Sequence, residues 1–205
     1  MAEIYQIIQE GTVDRVFELV QNCLLESWNR AGRPARNKVA VNGFDVKAMR
    51  DLCNTVAAYC SHVIYCSTEF AAEMTNVAIE TAHKVSEAEL LEIRDKGYIG
   101  KFYSVPVVVL PQSFVDENNE KLVMNPSFAY VIPSGKEKLI KIGIEGSPYF
   151  REWENRDNSM EIQGYAKIGV GMINRPNYWG IYYNAAIEAG NWEEYNKTIV
   201  TEEIG

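Results

Sequence analysis

From residue 12 to residue 30 apolar side chains recur at helical spacing. Val13, Val16, Phe17, Val20, Cys23 and Leu24 form one stripe, with Ser27 on the same face. The spacing predicts a long helix over Thr12 to Arg30, with Thr12 as N-cap, Asp14 as an acid in the first turn, and Gly32 and Pro34 as stop signals. Ile4, Ile7 and Ile8 predict a shorter helix before Gly11, or a kinked continuation of the same one. A second helix is predicted over Asp45 to Cys60, because Val46, Met49, Leu52, Cys53, Val56, Ala57 and Cys60 share a face. His62 to Ser67 reads as a strand and Glu69 to Val77 as a short helix. Ser86 and Glu89 stand at capping-box spacing for a helix that stops at Gly97.

After Gly97 the helical period disappears. Ser104 to Leu110 is a nearly continuous apolar run, the pattern of a strand buried on both faces. Phe128 to Ile132 and Leu139 to Ile144 read as strands joined by the turn at Pro133 to Gly135. Two longer strands, Tyr149 to Trp153 and Met160 to Ile173, flank a polar turn at Asn155 to Ser159. In the second of these, Met160, Ile162, Gly164, Ala166, Ile168, Val170 and Met172 hold alternate positions, and the glycines suggest a bend or a close approach. Tyr178 to Tyr183 is a final strand, followed by some twenty polar residues that read as a loose tail. Helices therefore dominate the first half and strands the second, which is an α+β order.

Composition narrows the class. The chain has 205 residues, 47% of them apolar and 23% charged, which suits a folded protein able to bury a core without disulfides or metal. The net charge of -8 argues against a uniformly basic nucleic-acid binder. Arg30, Arg33, Arg36 and Lys38 form the one basic cluster, read here as a solvated loop after a helix. No basic start with a long apolar run marks a secretory signal, and no stretch reaches the roughly 18 apolar residues of a membrane span. Synthesis in the cytosol is expected, with Cys23, Cys53, Cys60 and Cys66 as reduced, half-buried hydrophobes.

The usual chemical constellations are each broken. Ser134-Gly135-Lys136 resembles the end of a phosphate loop, but Tyr130 stands where that loop needs a glycine. Gly169-x-Gly171 lacks the third glycine of a dinucleotide turn. Cys60, His62 and Cys66 lack zinc-site spacing and a fourth ligand, so core packing is the expectation. His62 and His83 have no nucleophile elbow to serve, and His83 falls in a polar connection. Glu152 and Glu154 share a strand face and read as a solvated edge. No catalytic residue, cofactor or metal site is assigned. Tyr149, Phe150, Trp153, Tyr165, Tyr178, Trp179, Tyr182 and Tyr183 crowd the C-terminal half, and such rings are enriched where a surface meets a partner.

The segment KGYIGKFYSVPVVVLPQSF resembles a motif of tailed-phage major capsid proteins with the Hong Kong 97-type fold, with Ser104 in place of the commoner glycine. FAYVIPSGKEKLIKIGIEG resembles the next element of that family. Leu139 takes a proline's place there, while Lys141, Glu145 and Gly146 match. YAKIGVGMI with Tyr178 to Tyr182 resembles the closing strand, and HVIYCST resembles an earlier strand–helix element with Cys66 replacing glycine. The order of these elements spans residues 10 to 184; encapsulin shells share the fold.

The resemblance implies two lobes: a peripheral lobe of residues 1–40 and 141–205 with a long spine helix and long C-terminal strands, and an axial lobe of residues 41–140. It implies a non-enzymatic shell subunit of an icosahedral phage or prophage capsid, made in the bacterial cytoplasm and carried in the virion. Its partners would be identical subunits, with scaffold or portal proteins as further ones, and neither membrane nor specific nucleic acid. The family's N-terminal arm and extended loop have no counterpart before Thr12, so the chain alone is expected to stop at monomers or small oligomers. The alternative reading is an α+β enzyme or ligand-binding domain with an acidic pocket around Glu145 to Glu154.

Overall fold

The structure, a computed structural model, describes residues 15–30, 32–81, 87–110, 114, 118–135, 138–157, 159–173 and 175–200. Helix α1 covers 15–25 and passes into a turn through 29. It closes earlier than the stripe predicts because the ladder tightens: Ser27 N–H bonds to Leu24 O, Trp28 N–H to Leu25 O, and the Ser27 hydroxyl also donates to Leu24 O. The predicted start at Thr12, the short N-terminal helix, His83 and the Ser86 cap lie outside the described residues.

A 3-10 turn, Ala35–Asn37, leads into β1 (Lys38–Val41). Helix α2 (Val46–Ala57) is capped by Asp45, whose carboxylate accepts from the N–H groups of Lys47 and Ala48. Strand β2 (His62–Cys66) and helix α3 (Thr68–Thr81) follow, then α4 (Glu87–Lys96), which ends at Gly97 with φ +80. Next come β3 (Lys101–Phe102), β4 (Val105–Val109), β5 (Phe128–Pro133), the long β6 (Ile140–Glu154) and β7 (Met160–Met172), and β8 (Gly180–Asn184). A 3-10 turn at Gly190–Trp192 opens α5 (Glu193–Ile199). Among the described residues no helix is long and apolar enough to cross a membrane.

Among the described residues six strands make a mixed sheet in the order β1-β8-β5-β2-β4-β3. β1 runs parallel to β8 and β4 parallel to β2, while β5 is antiparallel to both of its neighbours, β8 and β2. Both faces of the sheet are covered. On one side Met49, Leu52, Cys53 and Val56 of α2 and Phe70, Ala71 and Met74 of α3 pack against Ile64, Ala129, Val131 and Tyr182. On the other, Leu24, Leu25 and Trp28 pack against Phe128, Tyr130, Trp179 and Ile181, with Trp192, Tyr195 and Ile199 alongside.

This sandwich corrects several expectations. The strand buried on both faces is β5, where Phe128 and Tyr130 enter one core and Ala129 and Val131 the other. β4 lies near the sheet edge and buries only Val107 fully. β5 and β6 do not form a hairpin, because β5 is already paired on both sides. The C-terminal segment is not loose as far as residue 200. Trp192 Nε1 donates to Leu122 O at 3.0 Å, and buried Asn196 accepts from Asn125 Nδ2 at 2.6 Å. Polar composition hid this, because amide groups meet amide groups there.

Candidate assembly surface

Among the described residues, strands β6 and β7 pair only with each other and leave the sheet as a two-stranded ribbon. The two strands expected at 139–144 and 149–153 are one strand. A bulge between Glu145 and Tyr149, with Gly146 at φ +74, bends it without ending it. The ribbon's far end closes through a polar turn. Asn155 N–H bonds to Ser159 O at 2.8 Å, and Asp157 accepts from the Ser159 N–H and hydroxyl. Those bonds hold the Asp157 carboxyl below its ordinary range.

Directly paired residues of an antiparallel ladder share a face, so the register sorts the ribbon's side chains. One face carries Ile140, Ile142 and Ile144 beside Met172, Val170 and Ile168. Beyond the bulge it carries Phe150, Glu152 and Glu154 beside Gly164, Ile162 and Met160. Ile144 is 61% exposed and Met160 65% exposed, values that place an apolar stripe in water. The opposite face mixes charged and aromatic side chains, with exposed Trp153 beside Glu161. Lys167 pairs with Glu145 at 3.5 Å, Tyr149 stacks on Tyr165 at 5.1 Å, and the Arg151 guanidinium lies 5.7 and 5.6 Å from those two rings.

At the ribbon's base a groove of about 640 Å³ is lined by Lys138, Lys141 and Arg175 around Leu139, Ile173 and the paired rings of Tyr59 and Tyr178, 4.9 Å apart. A second, mainly apolar cavity of about 340 Å³ lies between α1 and the sheet. Its polar lining includes Gln21, Ser134 and Lys138 but no carboxylate among the described residues. The acids of the alternative reading, Glu145, Glu152 and Glu154, stand instead on the exposed ribbon.

The basic cluster is dispersed. Arg33 is no solvated loop residue: its guanidinium lies 3.8 Å from the Trp179 ring centre, and Nε and Nη2 donate to Ser27 O and Oγ at 3.0 Å each. Burial, with Arg30 nearby, lowers its pKa to about 10. Lys38 lies over Trp28 at 4.9 Å, leaving Arg30 and Arg36 exposed. Cys53 and Cys66 are buried in the core, where desolvation pushes each thiol up to about 12. His62 Nδ1 lies 3.4 Å from Cys60 O, and no group of three metal-ligating side chains occurs among the described residues.

The aromatic crowding noted in the sequence divides in two. Tyr149, Phe150, Trp153 and Tyr165 lie exposed on the ribbon. Trp179 and Tyr182 are core, because β8 is covered on both faces, and Tyr182 Oη accepts from Asp45 N–H at 2.8 Å. The groove was missed in the sequence because only the fold brings Arg175, Tyr59 and Tyr178 to Lys138 and Lys141.

Residues 1–175 match the family model described as "SPbeta prophage-derived putative capsid protein YonB". No curated protein matches the chain. The fold is similar to that of a phage-related protein from Bordetella bronchiseptica RB50, at a TM-score of 0.55 and 13% identity over 87% of this chain. The chain spans 66% of that protein's length. A virus-like particle protein from Pyrococcus furiosus is similar at a TM-score of 0.48 and 12% identity, over 83% of this chain and 63% of that one.

Proposed function

The chain belongs to the SPbeta prophage-derived YonB family, and we propose that it is a non-enzymatic structural subunit of an icosahedral phage or prophage shell. The family match over residues 1–175 carries this reading. The Bordetella phage-related fold and the long ribbon standing clear of the sheet support it. Identical copies are the principal partner, with scaffold and portal proteins as further ones. The subunit is made in the host cytoplasm and ends in the virion. Its axial lobe comprises the six-stranded sheet with α2 and α3, β8 being counted with the sheet in which it pairs. Its peripheral lobe comprises α1, as the spine helix, with the ribbon.

The mechanism is geometric. Subunits related by rotation make the same heterologous contact repeatedly until a ring closes. Weak contacts then sum, because each copy in a closed ring is held at two surfaces. A net charge of -8 keeps such a wall from gripping nucleic acid. Sedimentation velocity over a wide concentration range tests the reading. Reversible, concentration-dependent association into defined small oligomers is expected; a chain that stays monomeric at high micromolar concentration overturns it.

A further inference from the structure

We infer that the far half of the β6–β7 ribbon of one copy docks, by its apolar and acidic face, into the cationic groove at the ribbon base of a second copy. The inference rests on the assembly reading above and names its contact. Beyond the bulge, the register sets Phe150, Glu152 and Glu154 beside Ile162 and Met160 on one face. The groove offers the complement: Lys138, Lys141 and Arg175 around Leu139 and the Tyr59–Tyr178 pair. Two carboxylates and an apolar patch thus meet Lys138, Lys141 and an apolar floor, with Arg175 already 5.2 Å from the Tyr178 ring, all on the same chain.

The choice of face follows from what is already matched. The opposite face carries the Tyr149–Tyr165 stack with Arg151 beside it. On the other face, past the bulge, Glu152, Glu154 and Met160 are exposed, and a two-stranded ribbon alone is marginal in water. Pairing two ribbons face to face would set Glu152 and Glu154 against their own copies, a like-charge contact that costs stability. Docking into the groove removes that conflict.

Tip and base are different surfaces, separated by most of the length of β6, on the order of 45 Å at ~3.3 Å per residue. Where each tip enters the groove of a different neighbour, the contact is heterologous and propagates into a ring or a filament. A far face about 17 Å long supplies on the order of 300 Å² per partner. That is short of the ~1,000 Å² total of a stable pair, so one contact is weak and ring closure is required.

The test uses the full chain and two double variants: Glu152→Lys with Glu154→Lys at the tip, and Lys138→Glu with Lys141→Glu in the groove. Circular dichroism melts establish that both fold. Sedimentation velocity at high micromolar concentration then reads association. Each variant alone should lose at least tenfold in association constant. Mixing the two should restore association in alternating order, because the unchanged tip of one variant meets the unchanged groove of the other and the reversed tip meets the reversed groove. Combining all four substitutions in one chain should restore association with the charges exchanged.

Association of either folded variant at the wild-type level overturns the inference and leaves the assembly reading standing. So does a mixture that restores nothing. A groove variant that loses oligonucleotide binding while associating normally assigns the cations to phosphate and overturns it too. A wild-type chain that never associates overturns both readings.

Discussion

Replacing Gly180 with alanine tests how closely α2 is seated on the sheet. Gly180 opens β8, between β1 and β5, beneath Leu52 of α2. A Cβ there would stand 2.5 Å from Leu52 Cδ1 and 3.0 Å from Leu52 Cγ. Leu52 is 1% exposed and packed in the core beside Met49, Cys53 and Val56, so moving its branch displaces its neighbours. Overpacking of this kind costs about 1–3 kcal/mol. Reduced unfolded-chain entropy returns about 0.4–1 kcal/mol. A net loss of about 1–2 kcal/mol is expected for Gly180→Ala, read as a lower urea midpoint with an unchanged slope. Leu52→Ala alone should cost about 2–5 kcal/mol through its cavity. In the double variant the new methyl occupies part of that cavity, so the pair should be less costly than the sum by at least ~1 kcal/mol. A neutral or stabilising Gly180→Ala, or strict additivity with Leu52→Ala, would refute the close approach.

Other outcomes follow from local chemistry. Tyr103 and Ser104 form the two-residue turn between β3 and β4 with φ of 45 and 69, so Ser104→Gly should add about 1 kcal/mol, seen as a Tm rise of ~2–4 °C. In the native protein Cys53 and Cys66 should resist alkylation at mildly alkaline pH while the half-buried Cys60 reacts, and all four thiols should react once the chain is denatured. Because both buried thiols hold their protons to about 12, the unfolded chain ionises first. Stability from this source is complete below pH ~8.5 and falls as pH rises towards 12, by up to ~1.4 kcal/mol per thiol per pH unit; the Cys53→Ala, Cys66→Ala double variant should flatten that limb of the pH–stability curve. Arg33→Lys should cost about 1–2 kcal/mol in urea melts, since an ammonium replaces neither the stack on Trp179 nor the fork onto Ser27.

Local periodicity made most elements legible. α2 with its Asp45 cap, β2, α4 ending at Gly97, β5, β7 and the turn before Ser159 all lie close to where the pattern puts them, because each is specified by neighbours in the chain. The pairing of those elements was not legible. VPVVV and FAYVI look alike as apolar runs, yet the first is near an edge and the second central, a difference set by which strands arrive on either side. Arg33 read as solvated because its partners, Ser27 and Trp179, lie on separate elements. At the candidate surface, the alternating stripe of β7 was visible in the sequence, while its exposure and the assembly of the groove were tertiary facts. The capsid reading came from the family resemblance, which the match over residues 1–175 shares.

The central claim is that copies of this chain meet head to tail around a rotation axis. Native mass spectrometry with negative-stain imaging of the largest reversible species reads this directly. The account predicts rings of about five or six copies, each contributing one ribbon to one neighbour. Two-fold dimers that bury the same surface on both copies and grow no further would contradict it.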